Sequence, residues 1–266
     1  MENIYVALIQ TSIYWKDQQR NIQHFTDLIN RVDDDCDLII LPEMFTTGFV
    51  TSPKNHSTSM NGGVINWMTK TAQAKKAVLT GSVIISENGN FTNRLLWVTP
   101  EGSIDYYDKR HLFTFGGEDK NFYQGKERKI FTIKGFHFAP LICYDLRFPV
   151  WAKNQYSHET GYAYDCLIYT ANWPDSRKIV WKTLLHARAI ENQSYVIGVN
   201  RVGSDGEGLN YSGDSMAINA KGETLKFSEN STEEIFYAVL NRNELTNFRK
   251  KFPVGPDWDN FTLQRY

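Results

Sequence analysis

The chain has 266 residues, 41% hydrophobic and 22% charged, the balance of a folded soluble protein and not of a disordered or fibrous one. Lysine and arginine number 29 against 30 aspartates and glutamates, so no net field exists to gather nucleic acid or an anionic membrane, and neither partner is expected. The start, Met1-Glu2-Asn3-Ile4-Tyr5, has no cationic leader and no apolar window approaches the ~20 residues that cross a bilayer, so a cytoplasmic location is expected.

The apolar run at 5–9 predicts a strand. Ile22, Phe25, Ile29 and Val32, at steps of three and four, predict a helix over 21–32 with Asp27 and Arg31 outward. Runs at 37–41 and 78–85 are rich in β-branched residues and read as buried strands on either side of a helix over 64–76. Asn88-Gly89-Asn90 predicts a hairpin turn to a strand at 93–98, and Pro100-Glu101-Gly102 leads to another at 103–107. Lys134-Gly135 repeats the device between 129–133 and 137–143. Pro174-Asp175-Ser176 starts the clearest helix, 177–193, with Val180, Leu184, Ala187 and Ile190 on its apolar face and Lys182, His186 and Arg188 opposite. Ala220-Lys221-Gly222 joins strands at 216–219 and 223–227. The alternation predicts an α/β fold. With no linker and no fixed-period repeat, one domain over 1–266 is expected, its core about 4–241 and a loose tail after about Phe252.

Cys36, Cys143 and Cys166 are an odd set without C-x-x-C spacing, so neither a zinc site nor a disulfide framework is expected, and Cys36 and Cys166 read as buried small hydrophobes. His186 reads as a surface or hydrogen-bonded histidine. Four apolar runs end abruptly in polar or aromatic residues: LPEMF at 41–45, YDKRH at 107–111, LICYD at 141–145 and YTANWP at 169–174. Strand carboxyl ends are where α/β folds build sites, which offers Glu43, Lys109 and Cys143 a common pocket.

Such a trio has a chemistry. A thiol of ordinary pKa, near ~8.5, needs a base to attack at neutral pH. Glu43 would take that proton and return it to a leaving amine. Lys109 and the backbone N–H of Tyr144 would stabilise the oxyanion, one such donor being worth ~3–4 kcal/mol, and Lys109 would also enlarge the thiolate fraction. The path is a thioester, release of ammonia or an amine, then hydrolysis. Taken singly, plainer roles also fit: an ion-pair partner for Glu43, a solvated charge for Lys109, a core position for Cys143.

LPEMF at 41–45, YDKRHLF at 107–113, LICYDLRFP at 141–149, ANWP at 171–174 and the stretch from ARAIENQ to NRVG at 187–203 together resemble the nitrilase-like carbon–nitrogen hydrolase family, from Val6 to about Asn241. The resemblance implies a four-layer α-β-β-α sandwich and a Glu-Lys-Cys triad at Glu43, Lys109 and Cys143, working without metal or other cofactor. It implies a second glutamate that holds the lysine, matched by Glu118 with Asp119 adjacent, and sets Arg147 and Trp173 near the site. LPEMFTTGF at 41–49 and CYDLRFPVW at 143–151 look most like the ω-amidase branch, which hydrolyses small 2-oxo acid amides such as 2-oxoglutaramate and 2-oxosuccinamate. A carbamoylase, a nitrilase or a catalytically silent binding protein are the alternatives. Val150 stands where many relatives have glutamate. For the substrate's carboxylate end the candidates are Arg147, Tyr144 and, as a wall, Phe45. The resemblance also implies a homodimer whose contact surfaces are 177–193 and the segment after Cys143.

Overall fold

A computed structural model describes residues 3–228 and 231–263. Met1 and Glu2, part of the leader reading, and the last three residues of the expected tail lie outside the described residues.

The first part of the chain runs through β1 (Ile4–Gln10), α1 (Gln18–Asn30), β2 (Leu38–Ile40), α2 (Gly63–Lys75), β3 (Val78–Glu87), β4 (Asn90–Val98) and β5 (Ile104–Asp108). Two helical returns make β1, β2 and β3 parallel. The two-residue turn Asn88-Gly89, with φ of 52° and 78°, then reverses β3 into antiparallel β4.

A second set follows: β6 (Phe131–Ile133), β7 (Phe136–Ile142), the one-turn α3 (Pro149–Ala152), and the small hairpin of β8 (Tyr156–Ser157) and β9 (Gly161–Tyr162). After it come β10 (Cys166–Ala171), α4 (Lys178–Asn192), β11 (Tyr195–Asn200), and a hairpin of β12 (Val202–Ser204) and β13 (Asn210–Ser212). β14 (Met216–Ile218), β15 (Thr224–Phe227), β16 (Glu234–Leu240) and α5 (Arg242–Lys251) complete the order. The two large sheets run β16-β1-β2-β3-β4-β5 and β15-β14-β11-β10-β7-β6, so β16 leaves its neighbours in sequence to pair antiparallel with β1.

The sheets pack face to face. Val6, Leu8, Ile40 and Trp97 from the first meet Phe138, Ile168 and Ile197 from the second in one core. On the far side of the first sheet, Ile9, Ile39 and Leu79 pack on Phe25 and Ile29 of α1 and Met68 of α2. On the far side of the second, Leu167 and Val196 pack on Trp181, Leu185 and Ala189 of α4. The layers are therefore α-β-β-α, as expected, and the central strands read as unbroken apolar runs because both of their faces are covered.

The expected apolar face of α4 changes. The buried side of α4 is Trp181, Leu185, Arg188, Ala189 and Asn192, while Ile190 is 56% exposed. The helix lies close on β11, where a Cβ on Gly198 would come within 2.6 Å of Leu185, and Arg188 turns inward because its Nη2 donates to the carbonyl of Leu146 at 2.6 Å. The segment after Phe252, expected as a loose tail, is fastened at its start: Val254 and Gly255 donate backbone N–H groups to Gln193 Oε1 and the Tyr162 hydroxyl, each at 3.3 Å. His186 bridges elements, its ring meeting the Lys182 carbonyl at 2.8 Å and Thr224 Oγ1 at 3.0 Å.

Candidate active site

Glu43 sits in the turn that leaves β2, Lys109 directly after β5, Cys143 directly after β7, and Asn172 directly after β10. Two of these turns require non-glycine residues with positive φ, Met44 at 44° and Cys143 at 42°. Such a conformation persists only where its surroundings over-determine it. Met44 N–H donates to Ser82 Oγ at 2.9 Å. The Cys143 turn is held by buried Asp145, whose Oδ2 accepts from the Ile142 N–H at 3.1 Å and the Tyr107 hydroxyl at 2.8 Å. Its Oδ1 accepts from the His111 N–H at 2.9 Å and meets the His111 ring at 2.8 Å. Asp145 thereby ties the loop of the thiol to the strand end that carries the lysine.

Glu43, Lys109 and Glu118 are all buried and in contact. Lys109 Nζ donates to Glu43 Oε1 at 2.9 Å and to Glu118 Oε2 at 2.9 Å. Asn93 Nδ2 donates to Glu43 Oε1 at 2.8 Å and to Glu118 Oε1 at 3.2 Å. The other oxygen of Glu43 accepts from the Asn172 N–H at 2.9 Å, and the Asn172 carbonyl lies 3.9 Å from Cys143 Sγ. The three residues singled out by sequence therefore meet, with Asn172 joining the carboxylate to the thiol. Glu118 is the acid on the lysine, and neighbouring Asp119 is exposed.

The electrostatics follow from burial and from who faces whom. Burial opposes the charge of Lys109, but Glu118 and Glu43 outweigh it and hold the ammonium above the ordinary lysine value. Glu118 is raised by burial against the pull of Lys109, with Glu43 adding to the rise. Cys143 is pushed well up, by burial first and then by Glu43, against the opposing pull of Lys109. The pull of Lys109 on the thiol is in the expected direction, toward thiolate, but burial and Glu43 outweigh it. Cys36 is buried too and is pushed up to about 11, by desolvation first.

A cavity of about 210 Å³ opens onto partly exposed Cys143 and onto Lys109 and Asn172. Phe49, Phe113, Tyr144, Trp173 and Tyr211 wall it. Arg147 lies over the Trp173 ring at 5.1 Å and Arg177 over Phe113 at 5.6 Å. Both line the cavity, and among the described residues neither guanidinium has a carboxylate partner. Asp205, opposite in chemistry, is already satisfied by the Tyr211 hydroxyl at 2.8 Å and two backbone N–H groups. Another cavity, about 240 Å³ beside Ala139 and Tyr164, touches none of these groups.

Phe45 is not a wall of the cavity. The turn at Met44 sends its ring back under Gly81 into the core, 5.3 Å from Phe25 and 5.8 Å from Trp67, and Phe49 stands at the cavity instead. Phe45→Ala is accordingly expected to cost about 3 kcal/mol of stability in denaturant melts, with little change in affinity for small ligands of the cavity. Sequence reasoning also passed over Asn93, Asn172 and Arg177. Asn172 stood within the ANWP motif, while Asn93 had no local signal.

A family model described as carbon-nitrogen hydrolase matches residues 5–250. The chain is 41% identical over 263 residues to the omega-amidase YafV of Escherichia coli K12, covering 99% of this chain and all of that protein. It is 32% identical over 256 residues to a 2-oxoglutaramate amidase of Bacillus subtilis, covering 95% and 96% of the two chains. Among solved structures, XC1258 of Xanthomonas campestris, a CN-hydrolase superfamily protein with an arsenic adduct in its active site, superposes with a TM-score of 0.96 at 39% identity, over 99% of this chain and all of that one. A thiol, a buried carboxylate pair and a lysine on this sandwich, with matches spanning nearly the whole chain, place the protein in the carbon-nitrogen hydrolase family.

Proposed function

We propose that the chain is an ω-amidase that converts the amide of a small 2-oxo dicarboxylic acid, such as 2-oxoglutaramate or 2-oxosuccinamate, to the dicarboxylate and ammonia. The observation that carries this reading is one cavity with Cys143 beside the Glu43–Lys109–Glu118 cluster at its base and two guanidinium groups, Arg147 and Arg177, on its aromatic walls. The curated relatives support it: one is named an omega-amidase and another a 2-oxoglutaramate amidase.

Cys143 Sγ adds to the amide carbonyl as its proton passes to Glu43. The charge that grows on oxygen faces Lys109 and the N–H of Tyr144, near the start of a short turn over Cys143–Arg147 where backbone donors have no partner within the turn. Glu43 gives the proton to nitrogen, the C–N bond breaks, and ammonia leaves a thioester. Water then loses a proton to Glu43 and adds to the acyl carbon, the C–S bond breaks, and sulfur recovers its proton. Glu118 keeps Lys109 in place, and Trp173 shapes the cavity wall.

Ammonia release from 2-oxoglutaramate tests the assignment, and turnover confined to N-carbamoyl amines or nitriles would overturn it. Arg147→Gln and Arg177→Gln are each expected to raise KM for 2-oxoglutaramate about tenfold or more, the worth of a hydrogen bond to a charged group, while leaving KM for uncharged butyramide within about twofold.

The working form on this reading is a homodimer of a single-domain chain in the cytoplasm. Support for the dimer comes from the apolar side of α4 that the sheet leaves uncovered, with Ile179 74% exposed, Ile190 56% and nearby Val150 51%. Among the described residues no helix is long and apolar enough to cross a membrane.

A further inference from the structure

Asn93 belongs to β4 and pairs by its main chain with the end of β5, its carbonyl accepting from the Lys109 N–H at 2.9 Å. Its side chain points into the cluster, where Nδ2 donates at 2.8 Å to Glu43 and at 3.2 Å to Glu118. The orientation of the amide is fixed by its neighbours, since both groups that meet the nitrogen are carboxylate oxygens. The consequence is that Asn93 Oδ1 is buried with no hydrogen-bond partner among the described residues. A buried orphan acceptor is costly and needs a reason. Asn172 repeats the pattern on the other side of Glu43: its nitrogens donate to the carboxylate and to the Glu43 carbonyl, and its own Oδ1 is likewise buried without a partner among the described residues.

We infer that Asn93 is a positioning residue for the amidase reaction, a neutral double donor that lets Glu43 and Glu118 remain ionised side by side and so keeps Glu43 available as the proton acceptor for Cys143. This rests on the proposed role of Glu43 as the base.

The charge count shows why a neutral donor is needed. The titratable groups that meet here are Glu43 after β2, Lys109 after β5, Glu118 in the turn before Lys120, and Cys143 after β7, with Tyr211 acting on the thiol from the cavity wall. Two carboxylates against one ammonium leave an excess negative charge in a buried site, a condition that favours taking up a proton. A second cation would neutralise that charge but would also draw electron density from the base. An amide gives one N–H to each carboxylate and adds no charge. It also shares with Lys109 the holding of both carboxylates, to which the ammonium donates at three oxygens. Glu43 Oε1 is therefore held from two sides, by Lys109 and Asn93, and Oε2 by Asn172.

The test compares the wild type with Asn93→Ala and Asn93→Asp. Two readouts are taken against pH: kcat/KM for 2-oxoglutaramate, and the rate at which iodoacetamide alkylates Cys143, followed by intact mass and peptide mapping. Removing the donor is expected to move the acid limb of both profiles up by about one pH unit, the equivalent of one hydrogen bond to a charged group. Asn93→Asp, which sets a third carboxylate in the cluster, is expected to move it further. An unshifted limb, with activity lowered equally at every pH, would reduce Asn93 to a packing role and overturn the inference. Failure of both variants to fold would do the same by assigning Asn93 to stability. A wild type that releases no ammonia would sink the ω-amidase reading, yet the alkylation profile would still decide the role of Asn93.

Discussion

Cys143→Ala is expected to lower ammonia release from 2-oxoglutaramate by about ten-thousand-fold or more, the scale on which a covalent nucleophile fails when its attacking atom is removed. The remaining parts cannot stand in for the sulfur. Cys36 and Cys166 are buried away from the cavity, and Glu43 is oriented by Lys109, Asn93 and Asn172 toward the thiol position. The fold should survive, because alanine fits the small space and the turn is held by Asp145. Ammonia assays establish the rate, and rapid quenching followed by intact-mass measurement should find an acyl adduct on the wild type and none on the variant. Residual turnover above about one per cent would remove the thioester path.

Lys109→Met should be both inactive and unstable. The ammonium is the only cation in contact with Glu43 and Glu118 among the described residues, and deleting one partner of a buried ionic cluster costs about 3–5 kcal/mol because the charges left behind are uncompensated. The pH dependence has a definite sign. Burial already raises Glu118 against the pull of Lys109, and removing that pull raises it further, so the folded chain binds more protons than the unfolded one and its stability falls as pH increases through that raised pKa. Denaturant melts should therefore show the largest deficit at pH 8 and partial recovery at pH 5, while activity stays lost at both. Adding Glu118→Gln to Lys109→Met should restore much of the stability and none of the catalysis. A single variant as stable as the wild type at pH 8 would show that the buried cluster is not ionised as drawn.

The parts of this site that could be read from the sequence are those whose chemistry coincides with a strand end. Glu43, Lys109 and Cys143 each follow an apolar run, whereas Glu118 came only from the family resemblance. Asn93 was hidden for a physical reason. It opens NRLLWV like any polar residue at the start of a strand, and its importance comes from the β4–β5 register, which sets Arg94 against Asp108 and so brings Lys109 alongside. Arg177 looked like a helix-start residue, and its place over the Phe113 ring at the cavity shows only in three dimensions. Phe45 misled because the motif said where it lies along the chain and not which way the Met44 turn would aim it. Periodicity picked the neighbouring stripe of α4 because two of its buried residues, Arg188 and Asn192, are polar and earn their burial through specific acceptors and donors. β16 escaped because only three of its seven residues are buried, and its partner lies more than two hundred positions earlier.

That last pairing orders events during synthesis. β1 leaves the ribosome more than two hundred residues before β16, and each of its seven residues stands opposite one of Glu234–Leu240 along that outer edge. Throughout most of translation the nascent chain therefore carries an apolar, unpaired sheet margin, the kind of surface that recruits a strand from another molecule. A polypeptide cut short near residue 230 would hold every group of the cavity and still be prone to aggregate.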